Sequence, residues 1–219
     1  MTDTTDCSRV LVVDDHRTFT DLIALALEAE LDMECVGAAH DVSRARALVV
    51  ESRPDVVLMD VNLGDDDGLD LTVELLQAHP HLLVVVLTAF GDGAVMRRAA
   101  AAGASALLPK DGSLPDLLSG LRSARHGALV VHPELLHTLL SAEWQTGPVG
   151  PELTPREQEV LERLADGRTV SRIAKDLGIS VHTCRGYVKT LLAKLGAHSQ
   201  LEAVVIAVMR GLVNAPRRH

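Results

Sequence analysis

The sequence predicts two structural classes in one chain: an α/β unit built on a five-stranded, doubly wound parallel sheet, and after it a small all-α unit of four helices. Three observations carry this reading. In the first half, short and almost uniformly apolar runs alternate with helix-period segments, the pattern of strands buried on both faces. A stretch rich in Gly and Pro at residues 146–151 interrupts the alternation. Beyond it no strand-like run recurs, and helix-capping residues follow one another at short intervals.

The apolar runs at 10–13, 34–38, 56–59, 83–87 and 104–108 read as the five strands. Between and after them, residues 18–30, 42–51, 69–79, 93–102 and 114–126 have apolar positions at helical spacing and polar opposite faces. Strand and helix repeated five times give a parallel sheet covered on both sides. A further helix is expected after His132-Pro133, with Leu135, Leu136, Leu139 and Leu140 as its apolar stripe. The divisions are therefore 8–127 for the α/β unit, 128–151 for a linker helix and linker, and 152–213 for the all-α unit.

In the last part, helices are expected at 155–166, 170–176, 181–195 and 200–211. Thr154, Pro155 and Glu157 form the signature of a capping box with Pro in the first turn. Gly167 is placed to end that helix, and Ser180 and Ser199 to cap the third and fourth.

Composition narrows the function classes. Aromatics are 2% of the chain, too few for a stacking surface that holds single-stranded nucleic acid. The three cysteines, Cys7, Cys35 and Cys184, have neither metal-ligand nor redox spacing, which points to a reducing compartment. The N-terminus is polar and acidic, unlike a secretory signal, and the most apolar stretch, 82–90, is too short to span a bilayer. A cytoplasmic protein without membrane attachment is expected. The net charge of −9 is divided unevenly. Residues 1–151 hold 23 acidic and 10 basic side chains, whereas residues 152–219 hold 7 and 11. An acidic half joined to a basic half implies two tasks, one of them near phosphates.

In an open parallel sheet, ligands bind outside the carboxyl ends of the strands, near the switch in strand order. The predicted strand ends carry Asp14-Asp15, Asp60, Thr88 and Lys110. Three carboxylates repel one another unless a cation joins them, and a hard divalent ion such as Mg2+ suits an all-oxygen site. A carboxylate can also accept a phosphoryl group, with the metal, Thr88 and Lys110 neutralising the charge on it.

At this point the strings VLVVDDH, PDVVLMDVNLGDDDGLDL, VVVLTA and GASALLPK, in that order, resemble the receiver domain of two-component response regulators, a flavodoxin-like fold. The resemblance implies that Asp14, Asp15 and Asp60 hold Mg2+, with Asp15 in the more direct contact and the Asn62 backbone carbonyl completing the shell. It implies that Asp60 accepts phosphate from a histidine kinase, and that Thr88 and Lys110 respond to it. Two positions depart from the family pattern. Gly64 replaces the usual proline, so a more mobile loop is expected, and Leu107 occupies the position of the switch aromatic. An alternative reading follows from these departures: an atypical receiver that regulates transcription independently of phosphorylation. A phosphatase of the dehalogenase type would need an Asp-x-Asp pair on the first strand, and here the aspartates are adjacent. No enzyme is expected.

The strings LTPREQEVL and GRTVSRIAKDLGISVHTCRGYVKTLLAKLGAHSQLEAV resemble the LuxR-type helix-turn-helix of the NarL/FixJ class. Val188, Leu191, Leu192 and Leu195 are the inward positions of helix 181–195, with Cys184 read as packing. Its outer face shows Arg185, Tyr187, Lys189 and Lys194. Arg185 and Lys189 are four residues apart, hence on one side, and an arginine there suits guanine in the major groove. Thr183 and Gly186 belong to the same candidate DNA surface, His182 lies at the helix start, and Lys194, Arg172 and Lys175 are candidates for phosphate contacts. Helix 200–211 is expected to expose a stripe of Val204, Val205, Val208 and Leu212, part of which must pack inward, and the resemblance gives this helix a dimer contact. Double-stranded DNA, a histidine kinase and a second copy of the chain in the active state are the implied partners, with RNA polymerase a further candidate.

Overall fold

The computed structural model describes residues 7–88, 93–127, 130–131 and 151–213. The helix expected after Pro133 and the Gly/Pro-rich linker up to 150 lie outside them. Strands β1 (Ser8–Val13), β2 (Met33–Ala39), β3 (Val56–Asp60), β6 (Leu83–Thr88) and β7 (Ala106–Pro109) are the five expected from the apolar runs. They pair in parallel in the order β2-β1-β3-β6-β7. A short sixth strand, β8 (Val130–Val131), extends the edge beside β7. It was not predicted, because two residues are too few for a period to show. Helices α1 (Arg17–Glu28), α2 (Val42–Ser52), α3 (Gly68–Ala78), α4 (Gly93–Ala101) and α5 (Leu114–Arg125) complete the α/β unit.

Alternation along the strands divides the core into two layers. Val10, Val12, Leu58, Val85, Leu87 and Leu108 pack against Ile23 and Leu27 of α1 and Leu117, Leu118 and Leu121 of α5. Leu11, Val13, Val57, Met59, Val84, Val86 and Leu107 face α2, α3 and α4 instead. Gly120 admits the close packing of α5, since a Cβ there would meet Leu108 Cδ1 at 2.7 Å. Arg122 fastens α5 to the loop before β2, donating to Glu30 and to both oxygens of Asp32.

Between β3 and α3 the chain forms a small antiparallel hairpin, β4 (Asn62–Leu63) with β5 (Asp66–Asp67). Gly64 turns it with φ +67°, a conformation closed to proline, and its N–H donates to Asp15 Oδ2 at 3.2 Å. The departure at Gly64 therefore serves a tied turn rather than an open loop.

The all-α unit contains α6 (Pro155–Ala165), α7 (Val170–Asp176), α8 (Val181–Leu195) and α9 (Gln200–Met209). Thr154 and Glu157 form the expected capping box, and Thr169, Ser180 and Ser199 cap the other three helices. Glu157 has a second partner. Its Oε2 accepts from Lys194 Nζ at 2.7 Å, which ties the start of α6 to the end of α8. These bonds hold the Glu157 carboxyl below the usual carboxylate range, the Lys194 bond first and the Thr154 backbone second.

Two stability outcomes follow. A Cβ at Gly68 would stand 1.9 Å from Asp60 O, so Gly68→Ala must displace the start of α3 or the end of β3. A loss of about 1–3 kcal/mol in denaturant unfolding is expected. For Glu157, the depressed folded pKa gives stability that is present above the unfolded carboxylate value and is lost as pH falls through the folded value. Glu157→Gln should cost about 2 kcal/mol at neutral pH and flatten the acid-side loss, measured by chemical denaturation across pH.

Candidate functional site

The chain order places β1 between β2 and β3, so the strand order reverses beside the carboxyl ends of β1 and β3. The residues that follow those ends fill the crevice. Asp14 extends the β1 ladder, its N–H donating to Ala39 O at 3.0 Å, and it is fully buried. Asp60 closes β3 with 5% of its surface exposed. Asp15 lies at the rim. Thr88 ends β6, and its carbonyl accepts the Lys110 N–H at 2.9 Å, which sets the lysine just beyond β7.

Lys110 is the hub. Its Nζ donates to Asp60 Oδ2 at 2.7 Å and lies 2.7 Å from Asp14 Oδ2. The approach to Asp14 Oδ2 is close but misaligned for a hydrogen bond, so that buried oxygen has charge compensation and, among the described residues, no directed donor. The ammonium also sits 5.2 Å from the centre of the Phe19 ring. Burial pushes the Asp60 carboxyl up from its ordinary value, and the negative charge of Asp14 adds to that, while Lys110 opposes both. Burial works against the charge on Lys110 as well, but the carboxylates of Asp14 and Asp60 beside it overcome that and raise its pKa.

The ligand atoms of Asp14, Asp15, His16 and Asp60 all lie within 4.8 Å of one another. A hard cation fits this set: carboxylate oxygens converge, and Asp14 Oδ2 is buried without a directed donor. His16 is the member that sequence reasoning missed, although it follows the two aspartates directly. Its Nδ1 lies 2.7 Å from Asp15 Oδ1, and its N–H donates to Asp14 Oδ1 at 2.9 Å. Gly68 and Phe19 were also missed. Asn62 opens β4 two residues past Asp60, with its side chain exposed. Leu107 is 1% exposed, paired with Val86 on the α4 side of the sheet.

The second candidate surface is α7–turn–α8. Ile173 and Ala174 of α7 are buried, Gly178 turns the chain with φ +64°, and Ile179 N–H donates to Ala174 O at 3.0 Å. Cys184, Val188, Leu191 and Leu195 of α8 face the core, while Leu192 is half-buried. Thr183, Arg185, Gly186 and Lys189 are exposed together on the opposite side, and a Cβ at Gly186 would meet nothing within 4 Å. Not every expected DNA residue joins them. Tyr187 is half-buried against the core. Lys194 is turned away to Glu157 and to Glu152 O, which it reaches at 3.1 Å. A lysine offered two oxygens of its own domain is held there. Arg172 pairs with Asp176 at 3.1 Å, and Lys175 is exposed.

The stripe expected to be exposed on α9 is a correction. Val204, Val205 and Val208 are 0–2% exposed, because α9 is apolar nearly all round and is covered by α6, by α8 and by α4 of the sheet unit. Among the described residues no single helix is long and apolar enough to cross a membrane.

Comparison with known proteins identifies both units. Residues 10–122 match the response regulator receiver domain, and residues 151–207 match the bacterial regulatory proteins of the luxR family. The transcriptional regulatory protein LiaR of Bacillus subtilis is 32% identical, over 94% of this chain and 99% of its own. The response regulator ChrA of a heme-sensing two-component system has 26% identity and a TM-score of 0.54, over 94% of this chain and 99% of its own. RcsB of Salmonella enterica serovar Typhimurium, solved bound to promoter rprA with the phosphomimetic BeF3-, has the same fold at 24% identity and TM-score 0.57, over 91% of this chain and 97% of its own. With an acidic receiver site in the first half and an exposed basic helix-turn-helix in the second, the chain belongs to the NarL/LuxR family of two-component response regulators, DNA-binding regulators of transcription.

Proposed function

We propose that phosphorylation of Asp60 by a partner histidine kinase controls dimerisation and promoter binding by this chain. The observation that carries the proposal is the Asp60–Lys110–Asp14 arrangement, a buried acceptor carboxylate flanked by one ammonium and two further carboxylates. Asp60 attacks the phosphorus of a phosphohistidine. A carboxyl O–P bond forms, the N–P bond breaks, and the imidazole leaves with a proton. Asp14, Asp15 and Asp60, with the Asn62 carbonyl, would hold Mg2+, which supplies positive charge to the transferring phosphoryl oxygens. Lys110, at 2.7 Å from the acceptor, would pair with the new phosphate, and Thr88 at the end of the neighbouring strand β6 would donate to it. Acceptance of one phosphoryl group is the only chemistry assigned; the chain is not an enzyme with a substrate of its own.

The DNA surface comprises Thr183, Arg185, Gly186 and Lys189, all on the exposed side of α8. Arg185 reads a base edge and Lys189 supports it, while Lys175 and Arg172 meet phosphates. Tyr187 contributes through packing and Lys194 through its bond to Glu157. Val204, Val205 and Val208 belong to the helix that forms the dimer contact, and a dimer then reads two half-sites. The burial of Leu107 where an aromatic would swing favours a second reading, regulation independent of phosphate, and the same experiment separates the two.

Incubation with acetyl phosphate and Mg2+ should add one phosphoryl group to the intact mass of the parent and none to Asp60→Asn. Absence of the adduct in the parent, with beryllofluoride also failing to bind, would establish the phosphate-independent reading. In binding to DNA selected from a random pool by the phosphorylated parent, Arg185→Ala should weaken affinity by about 10–100-fold and relax preference at one position. Equal affinity for the selected and scrambled duplexes in the parent would remove the base-reading role.

A further inference from the structure

Three carboxylates make an oxygen site, and Mg2+ asks for nothing else. The fourth donor in the crevice is a nitrogen. His16 follows Asp14 and Asp15 and opens α1 as its N-cap residue. That position ordinarily takes Ser, Thr, Asp or Asn, whose side-chain oxygen accepts from the first turn. The His16 side chain makes no capping bond. Its imidazole is turned back to the sheet edge instead, although the side chain is 70% exposed.

His16 Nδ1 lies 2.7 Å from Asp15 Oδ1 and 3.2 Å from Asp14 Oδ1. Ligands side by side on one ion, each about 2.1 Å from it, stand about 3 Å apart. The spacing is therefore that of neighbours in one coordination shell, and the ligand atoms of all four residues lie within 4.8 Å of one another. Two further observations call for a positive charge at this point. Asp14 Oδ2 is fully buried without a directed donor. Lys110 Nζ acts as a stand-in cation, 2.7 Å from Asp14 Oδ2, 2.7 Å from Asp60 Oδ2 and 3.5 Å from His16 Nδ1. An ammonium supplies only charge and N–H groups to this set. A metal ion also takes lone pairs, and the imidazole has one to give.

Which ion gains from a nitrogen depends on its softness. Imidazole adds little for Mg2+, which prefers oxygen and dehydrates reluctantly, and much for the borderline ions of the first transition row. We propose that the receiver crevice is a mixed nitrogen–oxygen site in which His16 ligates a divalent transition ion of the manganese-to-zinc series. His16 thereby sets the preference of the crevice for such an ion over Mg2+. The proposal rests on the reading of Asp14, Asp15 and Asp60 as the cation site beside the phosphoacceptor, and adds a fourth ligand and the class of ion it selects.

The test compares the unphosphorylated full chain with His16→Ala at pH about 8, where an ordinary imidazole is neutral. The alanine variant keeps the backbone N–H that donates to Asp14 Oδ1 at 2.9 Å. Calorimetric titrations with Co2+ and with Mg2+ give the two affinities. In His16→Ala the preference for Co2+ over Mg2+ should fall about 10–100-fold, the size of the loss when a metal site is deprived of a supporting partner. His16→Asn trades the nitrogen for an amide oxygen and is a better cap for α1, so it should lower the preference in the same direction and serves if the alanine variant is unstable. With Mn2+ as a paramagnetic probe, pulsed electron spin resonance of the parent should show coupling to a nitrogen nucleus. That coupling should vanish in His16→Ala and on displacement by excess Mg2+. The variant also separates His16 from His40, whose Nδ1 lies 3.0 Å from the Asp14 carbonyl oxygen. Affinities for Co2+ and Mg2+ that fall by the same factor would give His16 a merely structural role and overturn the proposal. A parent without nitrogen coupling, or with coupling that survives His16→Ala, overturns it equally. Labelling with acetyl phosphate and Mg2+ keeps the two readings apart. A parent that takes no phosphoryl group but shows the His16-dependent signal retains the metal site and loses the phosphoacceptor reading, whereas a labelled parent without that signal retains the phosphoacceptor and loses His16 as a ligand.

Discussion

Mutual repulsion of carboxylates at the carboxyl edge of one parallel sheet is the constraint around which the receiver is organised. The topology gives no choice in the matter: reversal of strand order beside β1 brings Asp14, Asp15 and Asp60 into one crevice. Burial makes the repulsion costly, because charge is screened less there than in water. Lys110 is the one cation that the described residues place between Asp14 and Asp60, and it arrives from β7 at the far side of β6. Sheet register thus becomes an electrostatic requirement. A slip of β7 by one residue would turn its side chains to the opposite face and withdraw the ammonium. The hairpin after Asp60 is subject to the same requirement, since Gly64 ties it back to Asp15 and Gly68 lets α3 begin directly beside the Asp60 carbonyl.

Much of this was legible in the sequence because strand ends are legible. A doubly buried strand is a bare apolar run, so the first polar residue beyond it marks the sheet edge, and Asp14, Asp60, Thr88 and Lys110 stand at such positions. Capping residues work at fixed short offsets, which is why α6 to α9 were placed within a residue or two. What escaped depends on distance in space between residues far apart in sequence. Lys194 reads as one more cation on a basic helix until Glu157 is seen beside it, 37 positions earlier. Gly68 has an ordinary φ, and only the Asp60 carbonyl behind it shows why a side chain cannot enter. His16 carried a weak signal, its adjacency to the aspartates, but adjacency does not say where an imidazole points.

The valines of α9 were misplaced for a different reason. Helical periodicity reports how much of a helix is apolar, not which neighbour covers it. A helix with buried stripes on two sides can pack on its own domain, on another domain or on a second molecule, and the sequence of α9 is the same in each case. The structure resolves this for one state by setting α4 against it.

That placement also bears on how the two opposite charges of the chain coexist. The acidic half would be repelled by DNA if it lay along the reading helix, and the described contact between halves is instead apolar, between α4 and α9, with Arg185 and Lys189 left exposed. An apolar interface is insensitive to the salt that governs phosphate contacts, so domain docking and DNA attachment draw on different forces. The two ends of α4 differ in the same way. Its link to the site hairpin is an exposed ion pair, which contributes little and is easily exchanged, whereas its link to α9 is buried and cooperative with the core. The Arg98–Asp67 pair is thus the softer of the two contacts and the α4–α9 packing the tighter. Packed interfaces accept few intermediate positions, so the α4–α9 contact is held or lost as a unit, whereas the exposed pair at the hairpin can be exchanged for water without disturbing the core.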